Sequence, residues 1–393
     1  MRRRAMHGCS MPMAEMMRAG GAGEPGEPLL FAFLSGGRKL VGRGMARALA
    51  SGTAATLAAR VAAFFRNAPA DAVLAGALPF DRSAGDNLVE ARQVSADAPE
   101  AVPFLAPPRW GLRPDPSPGA FARAVAAALG EMEAGGLRKV VLSRSLLAET
   151  DRAIDLTALL QRLADDPAVT AFLVPLPGTD PAPRFLAGAT PELLVGKAGR
   201  AVRSHPLAGS ARRRADPAED RAAGAALERS EKDRREHALV SEFVLDTLAP
   251  YCRSLSAPEG PRLTTTATMW HLGTRIAGEL KEPEVSSAAL AAALHPTPAV
   301  CGVPREASAR LIRRLEPYDR GFYAGAVGWC DARGDGEWHV AIRCAEIRGG
   351  QARLYAGAGI VPGSDPAAET AETAAKFGAF LRALGIETEE RGA

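Results

Sequence analysis

The chain has 393 residues, of which 47% are hydrophobic and 24% charged, as in globular proteins large enough to bury one or two cores. Lysine and arginine number 48 against 45 aspartate and glutamate, so the net charge of +3 argues against a nucleic-acid partner. The five cysteines are scattered without a C-x-x-C pair, which disfavours disulfide frameworks and zinc sites. Since the sequence contains no apolar run of about 18 residues, we expect a cytoplasmic protein without a membrane partner.

The N-terminal third begins with a segment rich in Met, Gly and Pro, and we expect a disordered leader over residues 1–28. Apolar runs around a Ser-Gly-Gly turn then predict a β-hairpin from Leu29, and an alanine-rich stretch predicts a helix from Met45 to Phe65. A Pro-rich segment at 103–118 separates this third from the rest of the chain.

Helical and strand patterns are mixed in the remaining sequence. We predict helices at 120–134, 156–164 and 218–248, and strands at 139–143, 171–175, 184–188, 325–330, 337–347 and 351–356. A final helix is predicted to begin near Pro366. Hairpins combined with long helices favour an α+β fold over a parallel sheet of βαβ units. No G-x-G-x-x-G follows a strand and opens a helix, so a dinucleotide-binding fold has little support.

Two acidic helical segments hold glutamates suited to binding a metal. Glu236 lies in a Glu-Lys-Asp-Arg-Arg-Glu-His segment, and Glu369 and Glu372 share one face of the last predicted helix. Carboxylates that converge from two helices repel one another unless a cation lies between them, and magnesium prefers such oxygen ligands. The spacing alone is also compatible with solvated surface glutamates.

Other candidates adjoin apolar runs. Lys139 begins a strand, where desolvation would favour a general base, although it could be an ordinary strand-end lysine. A partly buried Glu192 could retain its proton and act as an acid, or could simply favour a helix start. His271 has the apolar surroundings of a satisfied core histidine. Small-residue loops at 206–210 and 356–362 would let backbone N–H groups approach an anion, although glycine turns are common.

Several short motifs follow one another in a fixed order. They are Lys139-Val-Val-Leu-Ser-Arg, Ala189-Thr-Pro-Glu-Leu-Leu, Pro206-Leu-Ala-Gly-Ser, Glu231-Lys-Asp-Arg-Arg-Glu-His, Trp270-His-Leu, His295-Pro-Thr-Pro-Ala, Ile342-Arg-Cys-Ala and Gly357-Ala-Gly-Ile-Val-Pro. Together they resemble the chorismate-utilising enzymes, and within that family most closely the isochorismate synthases. The resemblance implies an α+β fold of two intertwined halves, with large antiparallel sheets and flanking helices around a central cleft. It implies a single domain over 29–393, with an N-terminal part at 29–118 and a catalytic core at 119–393.

The resemblance also implies roles for individual residues. Lys139 would be the base that deprotonates water for attack on C2 of chorismate, and Glu192 the acid that protonates the departing 4-hydroxyl. His271, the third catalytic candidate, would lie beside the reacting ring. The implied ligands of a Mg²⁺ cofactor, which would grip the ring carboxylate, are Glu236, Glu372 and Glu369. The implied substrate-binding residues are Gly209, Ser210, Ala299, Arg343, Gly357 and Lys376.

Differences among relatives narrow the expected reaction. Relatives that use ammonia have glutamine in place of Lys139, and aminodeoxychorismate synthases have lysine in place of Ala208, so the resemblance implies water as nucleophile and no glutamine amidotransferase subunit. Salicylate synthases, the alternative, make isochorismate and then eliminate pyruvate, and they have threonine where this chain has Ala299. A degenerate, non-catalytic member is a second alternative, which the retained residues disfavour: Lys139, Glu192, Glu236 and Glu372. We expect a monomer, and the pathway stays open between siderophores and menaquinone.

Overall fold

The computed structural model describes residues 26–99, 108–178 and 182–386. Most of the expected leader, residues 1–25, lies outside them. The β-strands are β1 Leu29–Ser35, β2 Arg38–Ala48, β3 Val73–Leu78, β4 Asn87–Ser95, β5 Gly111–Asp115, β6 Lys139–Glu149, β7 Thr170–Leu176, β8 Arg184–Thr190, β9 Leu193–Ala198, β10 Ala201–His205, β11 Leu207–Arg212, β12 Cys252–Ser256, β13 Pro261–Thr265, β14 Met269–Thr274, β15 Ile276–Leu280, β16 Gly302–Val303, β17 Ala326–Asp331, β18 Gly336–Val340, β19 Cys344–Arg348 and β20 Gln351–Ile360. The α-helices are α1 Leu57–Phe65, α2 Pro118–Glu133, α3 Leu156–Leu163, α4 Pro217–Arg229, α5 Glu231–Leu248, α6 Ser287–Leu294, α7 Arg305–Leu315 and α8 Pro366–Ala383.

The predicted N-terminal hairpin is present as β1 and β2, but the helix that we expected from Met45 is wrong over its first half. β2 continues to Ala48, and its residues pair with β4, including Met45 with Ala91. Only Leu57–Phe65 is helical. Cross-strand pairing with a distant segment outweighs the helix propensity of the alanines, which is a weak local preference.

Strands from the beginning and end of the chain alternate in one 17-stranded sheet. β3 pairs with β17, β8 with β19, and the long central strand β6 with β20, all antiparallel. This alternation confirms the expected α+β fold with large antiparallel sheets. Strands of the N-terminal part therefore share a sheet with strands of the remainder.

The central strand β6 is buried on both faces. Its first seven residues, Lys139 to Ser145, are all buried. One apolar cluster includes Phe121 of α2 and Leu311 of α7 together with Val140 and Leu142 of β6. Because helices and loops cover β6 on both sides, any polar group on this strand is placed in a low-dielectric environment.

A second, three-stranded sheet contains β11, β13 and β14, and it contacts α4 and α5. The single charged helix predicted over 218–248 is two helices, because the chain leaves helical geometry at Ser230. The Ser230 side chain accepts a hydrogen bond from the backbone N–H of Asp233 and so caps α5. The break gives α5 its own N-terminus close to β11. None of the described helices has the length and apolarity needed to cross a membrane.

Candidate active site

One cavity collects nearly all the residues predicted for the site. Its lining includes Glu192, Gly209, Ser210, Glu236, His271, Ala299, Arg343, Gly357, Glu369, Glu372 and Lys376. β11 and β14 supply one wall, and α5, α8 and β20 supply others. Lys139 is the predicted residue that is not part of the lining; it lies behind Glu236. The strands and helices therefore bring together residues that are far apart in the sequence.

Lys139 and Glu236 form a buried ion pair at the back of this cavity. The Nζ atom of Lys139 lies 2.9 Å from Oε1 of Glu236, and the lysine side chain is 0% exposed. Within the described part of the chain, no acceptor meets this ammonium with good hydrogen-bond geometry. The pair is possible because residue 359 is glycine: a Cβ there would lie 2.3 Å from Glu236 Oε1 and 3.3 Å from Lys139 Cε. Gly359 lies in β20, although the sequence predicted a small-residue loop over 356–362, and it was not among the residues predicted for the site.

Glu192 is held in the loop between β8 and β9. Its backbone N–H donates to Thr190 Oγ1 at 3.3 Å, and its backbone carbonyl accepts from the Val340 N–H at 3.1 Å. Burial raises the pKa of its carboxyl to about 8, although the Leu207 N–H and the charges of Lys139 and Arg343 act in the opposite direction. Glu192 is therefore protonated at neutral pH, as an acid catalyst requires.

Lysines pair with the two carboxylates of α8. Lys376 Nζ lies 2.5 Å from Glu372 Oε1, which also accepts a hydrogen bond from Ser210 Oγ at 3.0 Å. Burial opposes ionisation of Glu372, but Lys376 and Ser210 outweigh it and lower the pKa. Lys232 Nζ lies 2.9 Å from Glu369 Oε1. Burial and the charge of Glu372 nevertheless raise the pKa of Glu369.

Four carboxylates of the cavity are donors of the type that a magnesium ion prefers. Asp233, Glu236, Glu369 and Glu372 come from two helices and line the same cavity. Burial raises the pKa of Asp233, and the charges of Glu236 and Glu372 add to this effect. Such mutual repulsion is relieved by a cation, and carboxylate oxygens are the ligands that Mg²⁺ prefers. In the described parts of the chain, no three Asp, Glu, His or Cys side chains are already arranged as ligands around one metal position. Lysines instead form ion pairs with three of the four cavity carboxylates.

Asp233 was not among the residues predicted for the site. It precedes Glu236 by three residues, so the two share a face of α5. The same i, i+3 spacing that singled out Glu369 and Glu372 in the last helix could have found it. The pattern is hidden in the sequence by the surrounding run of charged residues, in which many pairs have this spacing.

Two cationic side chains line the cavity: Arg343, which directly precedes β19, and Lys376 of α8. The strand predicted over 337–347 is interrupted, and Arg343 lies in the interruption with φ of +52°, an unusual value for a residue other than glycine. Burial lowers the pKa of its guanidinium, although the charges of Glu372 and Glu192 act in the opposite direction. Lys376 Nζ donates to the Gly357 carbonyl at 2.8 Å. Both cations are placed to bind an anionic ligand.

His271 presents a neutral imidazole to the cavity. The residue pairs with Ser210 across β11 and β14, which places both at one wall. Burial lowers the pKa of His271 well below its ordinary value of 6.5, and the positive charges of Arg343 and Lys376 add to the effect. Its Nε2 atom has no hydrogen-bond partner among the residues that the structure describes. A buried nitrogen without a partner at a cavity wall is suited to bind a substrate hydroxyl or water.

A buried polar network supports the floor of the cavity. Arg320 donates to Glu316 at 2.8 Å and to the carbonyls of Val141 and Val300, both of which line the cavity, at 2.7 and 2.8 Å. Tyr323 also lines the cavity and stacks on Tyr355, with ring centroids 4.6 Å apart. These residues were not predicted, because they lie outside the acidic, basic and glycine-rich patterns that direct attention to a site.

Comparison with known proteins gives matches over most of the chain. The chain is 44% identical over 345 residues to the isochorismate synthase DhbC of Bacillus subtilis, which covers 84% of this chain and 86% of that protein. A crystal structure named as a 2,3-dihydroxybenzoate-specific isochorismate synthase, DhbC of Bacillus anthracis, has a TM-score of 0.86 and 39% identity, over 95% of this chain and 100% of that one. The menaquinone-specific isochorismate synthase MenF of Escherichia coli shares the fold, with a TM-score of 0.76 and 24% identity, over 95% and 91% of the two chains. A family model described as chorismate binding enzyme matches residues 83–385, and the chain therefore belongs to the chorismate-binding enzyme family.

Proposed function

We propose that this protein is an isochorismate synthase, an isomerase that adds water at C2 of chorismate and expels the 4-hydroxyl, with Mg²⁺ as its cofactor. The observation that carries the proposal is the arrangement of an acid and an amine at one cavity. Glu192 is protonated at neutral pH because it is buried. The charge of Lys139, which lies behind Glu236, lowers the pKa of Glu192 but does not overcome the effect of burial. Water addition with loss of hydroxide needs one group of each kind.

The bond changes balance without a further reactant. The Lys139 amine takes a proton from water while the water oxygen bonds to C2 of the ring. The C1–C2 double bond moves to C1–C6, the C5–C6 double bond moves to C4–C5, and the C4–O bond breaks. Glu192 donates its proton, so the 4-hydroxyl leaves as water. One water enters and one leaves, and a proton has moved from Glu192 to Lys139, to be returned through solvent.

The ion pair with Glu236 sets a condition on this step. An ammonium has no lone pair, so Lys139 can accept a proton from water only after it has left the ion pair with Glu236 and lost one of its own protons to solvent. Glu236, Glu369 and Glu372 would hold Mg²⁺, which would supply positive charge that neutralises these carboxylates and the ring carboxylate of chorismate. Arg343 and Lys376, which face the cavity, would hold the substrate's carboxylates. No glutamine amidotransferase subunit is needed, because water is the nucleophile.

The test is to incubate the purified full chain with chorismate in H₂¹⁸O, with Mg²⁺ or with a chelator, and to identify products by chromatography with mass detection. We expect isochorismate that carries one ¹⁸O atom, formed only when Mg²⁺ is present, without pyruvate. Salicylate and pyruvate would instead identify the salicylate synthase alternative. Unchanged chorismate under all conditions would contradict the proposal and favour a non-catalytic member of the family.

A further inference from the structure

Lys232 occupies a position that is unfavourable for a cation. It is the second residue of α5, where unsatisfied backbone N–H groups give the helix end a partial positive charge. Its side chain is 37% exposed, so burial removes part of the water that would otherwise surround it. Asp233, by contrast, is favoured at this end of the helix. Another source of negative charge must hold Lys232 where it is.

The carboxylates of the proposed metal site supply that charge. Lys232 Nζ lies 2.9 Å from Glu369 Oε1, on a side chain that is 3% exposed. The charges of Glu236 and Asp233 also act on Lys232, and Lys232 acts on Glu372. One ammonium is thus within electrostatic reach of all four carboxylates, which come from α5 and α8. It provides positive charge to the same groups that would bind a metal.

We propose that Lys232 is a built-in counter-cation of the metal site, which holds the carboxylates together in the metal-free protein and competes with Mg²⁺ for them. This inference rests on the proposed function, since the metal belongs to that proposal. The flexible lysine stem is anchored at the helix terminus and is partly exposed, so the ammonium can turn away when a divalent ion arrives. Binding of Mg²⁺ then requires the displacement of the Lys232 ammonium. The affinity of the site for Mg²⁺ is therefore lower than it would be with the four carboxylates alone.

The experiment measures Mg²⁺ binding to the purified full chain by calorimetry, without substrate, in the wild type and in Lys232→Met. The methionine keeps most of the side chain's volume but removes its charge. We expect Mg²⁺ to bind about tenfold more tightly to the variant, because the substitution removes a positive charge that lies 2.9 Å from a carboxylate proposed to bind the ion. We also expect a lower melting temperature for the metal-free variant than for the metal-free wild type, restored by Mg²⁺. Lys232→Gln provides a second neutral variant if Lys232→Met does not fold.

Two controls separate the possible explanations. Lys232→Arg keeps the charge and should bind Mg²⁺ within about threefold of the wild type. Lys197→Met removes a buried lysine whose Nζ lies 2.7 Å from Asp335 Oδ1. Neither residue is part of the cavity lining, so this variant should leave Mg²⁺ affinity unchanged. Unchanged or weaker binding in both neutral Lys232 variants would overturn the inference while leaving the proposed function intact. If neither wild type nor variants bind Mg²⁺ and turnover is independent of it, both the inference and the proposed cofactor are wrong.

Discussion

Lys139 and Glu236 lie 2.9 Å apart, Nζ to Oε1, in a pair that joins the central strand of the large sheet to α5. The residue proposed to activate water is thereby held by a residue proposed to bind the metal. Because a protonated amine cannot act as a base, the proposed role of Lys139 requires that this residue first lose a proton. Glu236 would then link the proposed metal to the proposed base through a single carboxylate.

Replacement of Lys139 by methionine removes the amine while filling most of its buried volume. We expect turnover to fall by about 10³-fold or more, since general-base catalysis by a positioned side chain typically contributes 10²–10⁴-fold. Steady-state assay of isochorismate formation measures the loss, and circular dichroism checks that the fold is retained. Activity within tenfold of the wild type would rule out Lys139 as the base.

Replacement of Glu192 by glutamine keeps the shape but removes the acidic proton. We expect a loss of about 10²–10⁴-fold in kcat. In the wild type the pKa of about 8 in the substrate-free protein predicts that kcat/KM falls above roughly pH 8, because the ionised carboxylate has no proton to give. A pH–rate profile for kcat/KM measures this decrease. A wild-type profile without a decrease at alkaline pH would contradict the assigned role of Glu192.

The same carboxyl makes stability depend on pH. Its pKa is about 8 in the folded chain against an ordinary value of 4.5, so between these values the folded state binds more protons than the unfolded state. The free energy of unfolding must therefore decrease as pH rises from about 4.5 to about 8, by an amount of the order of a few kcal/mol. Denaturant titrations of wild type and Glu192→Gln across this range isolate the contribution. If the free energy of unfolding depended on pH in the same way for both proteins, burial would not raise the pKa of Glu192.

Gly359 allows the Lys139–Glu236 pair to form, and its replacement by alanine should displace Glu236. A Cβ would lie 2.3 Å from Glu236 Oε1, and this carboxylate can move more easily than backbone. We expect kcat/KM to fall by about 10–100-fold with little change in melting temperature, since misplacement by about 1 Å is costly in catalysis. The matched control is Gly130→Ala on the exposed face of α2, where a Cβ meets nothing within 4 Å. Equal activities for the two variants would contradict the argument.

Ala299 lines the cavity at the position where salicylate synthases were expected to have threonine. If this residue distinguishes the two reactions, Ala299→Thr should form salicylate and pyruvate in addition to isochorismate. Mass detection of salicylate and a coupled assay for pyruvate measure the change. Isochorismate as the sole product of the variant would mean that other residues determine which product is released.

Local sequence patterns were reliable where the signal was local. The final helix begins at Pro366 as predicted, after the N-cap Asp365, and the strand predicted at Lys139 is present and longer than expected. The prediction failed at Met45 because β4, which is distant in the sequence, pairs with that segment and holds it in a strand. It failed at Ser230 for a local reason: the serine side chain caps α5 and so divides two helices whose residues otherwise favour one continuous helix.

The sequence by itself determined the α+β class and the set of motifs, since periodicity, turn residues and motif spacing are written along the chain. Only the tertiary structure decided that Glu192 is buried deeply enough to keep its proton, that Lys139 is held by Glu236, and that Lys232 reaches Glu369. The physical reason is that desolvation and Coulomb interactions depend on distances through space, and the groups that set them come from remote strands and helices.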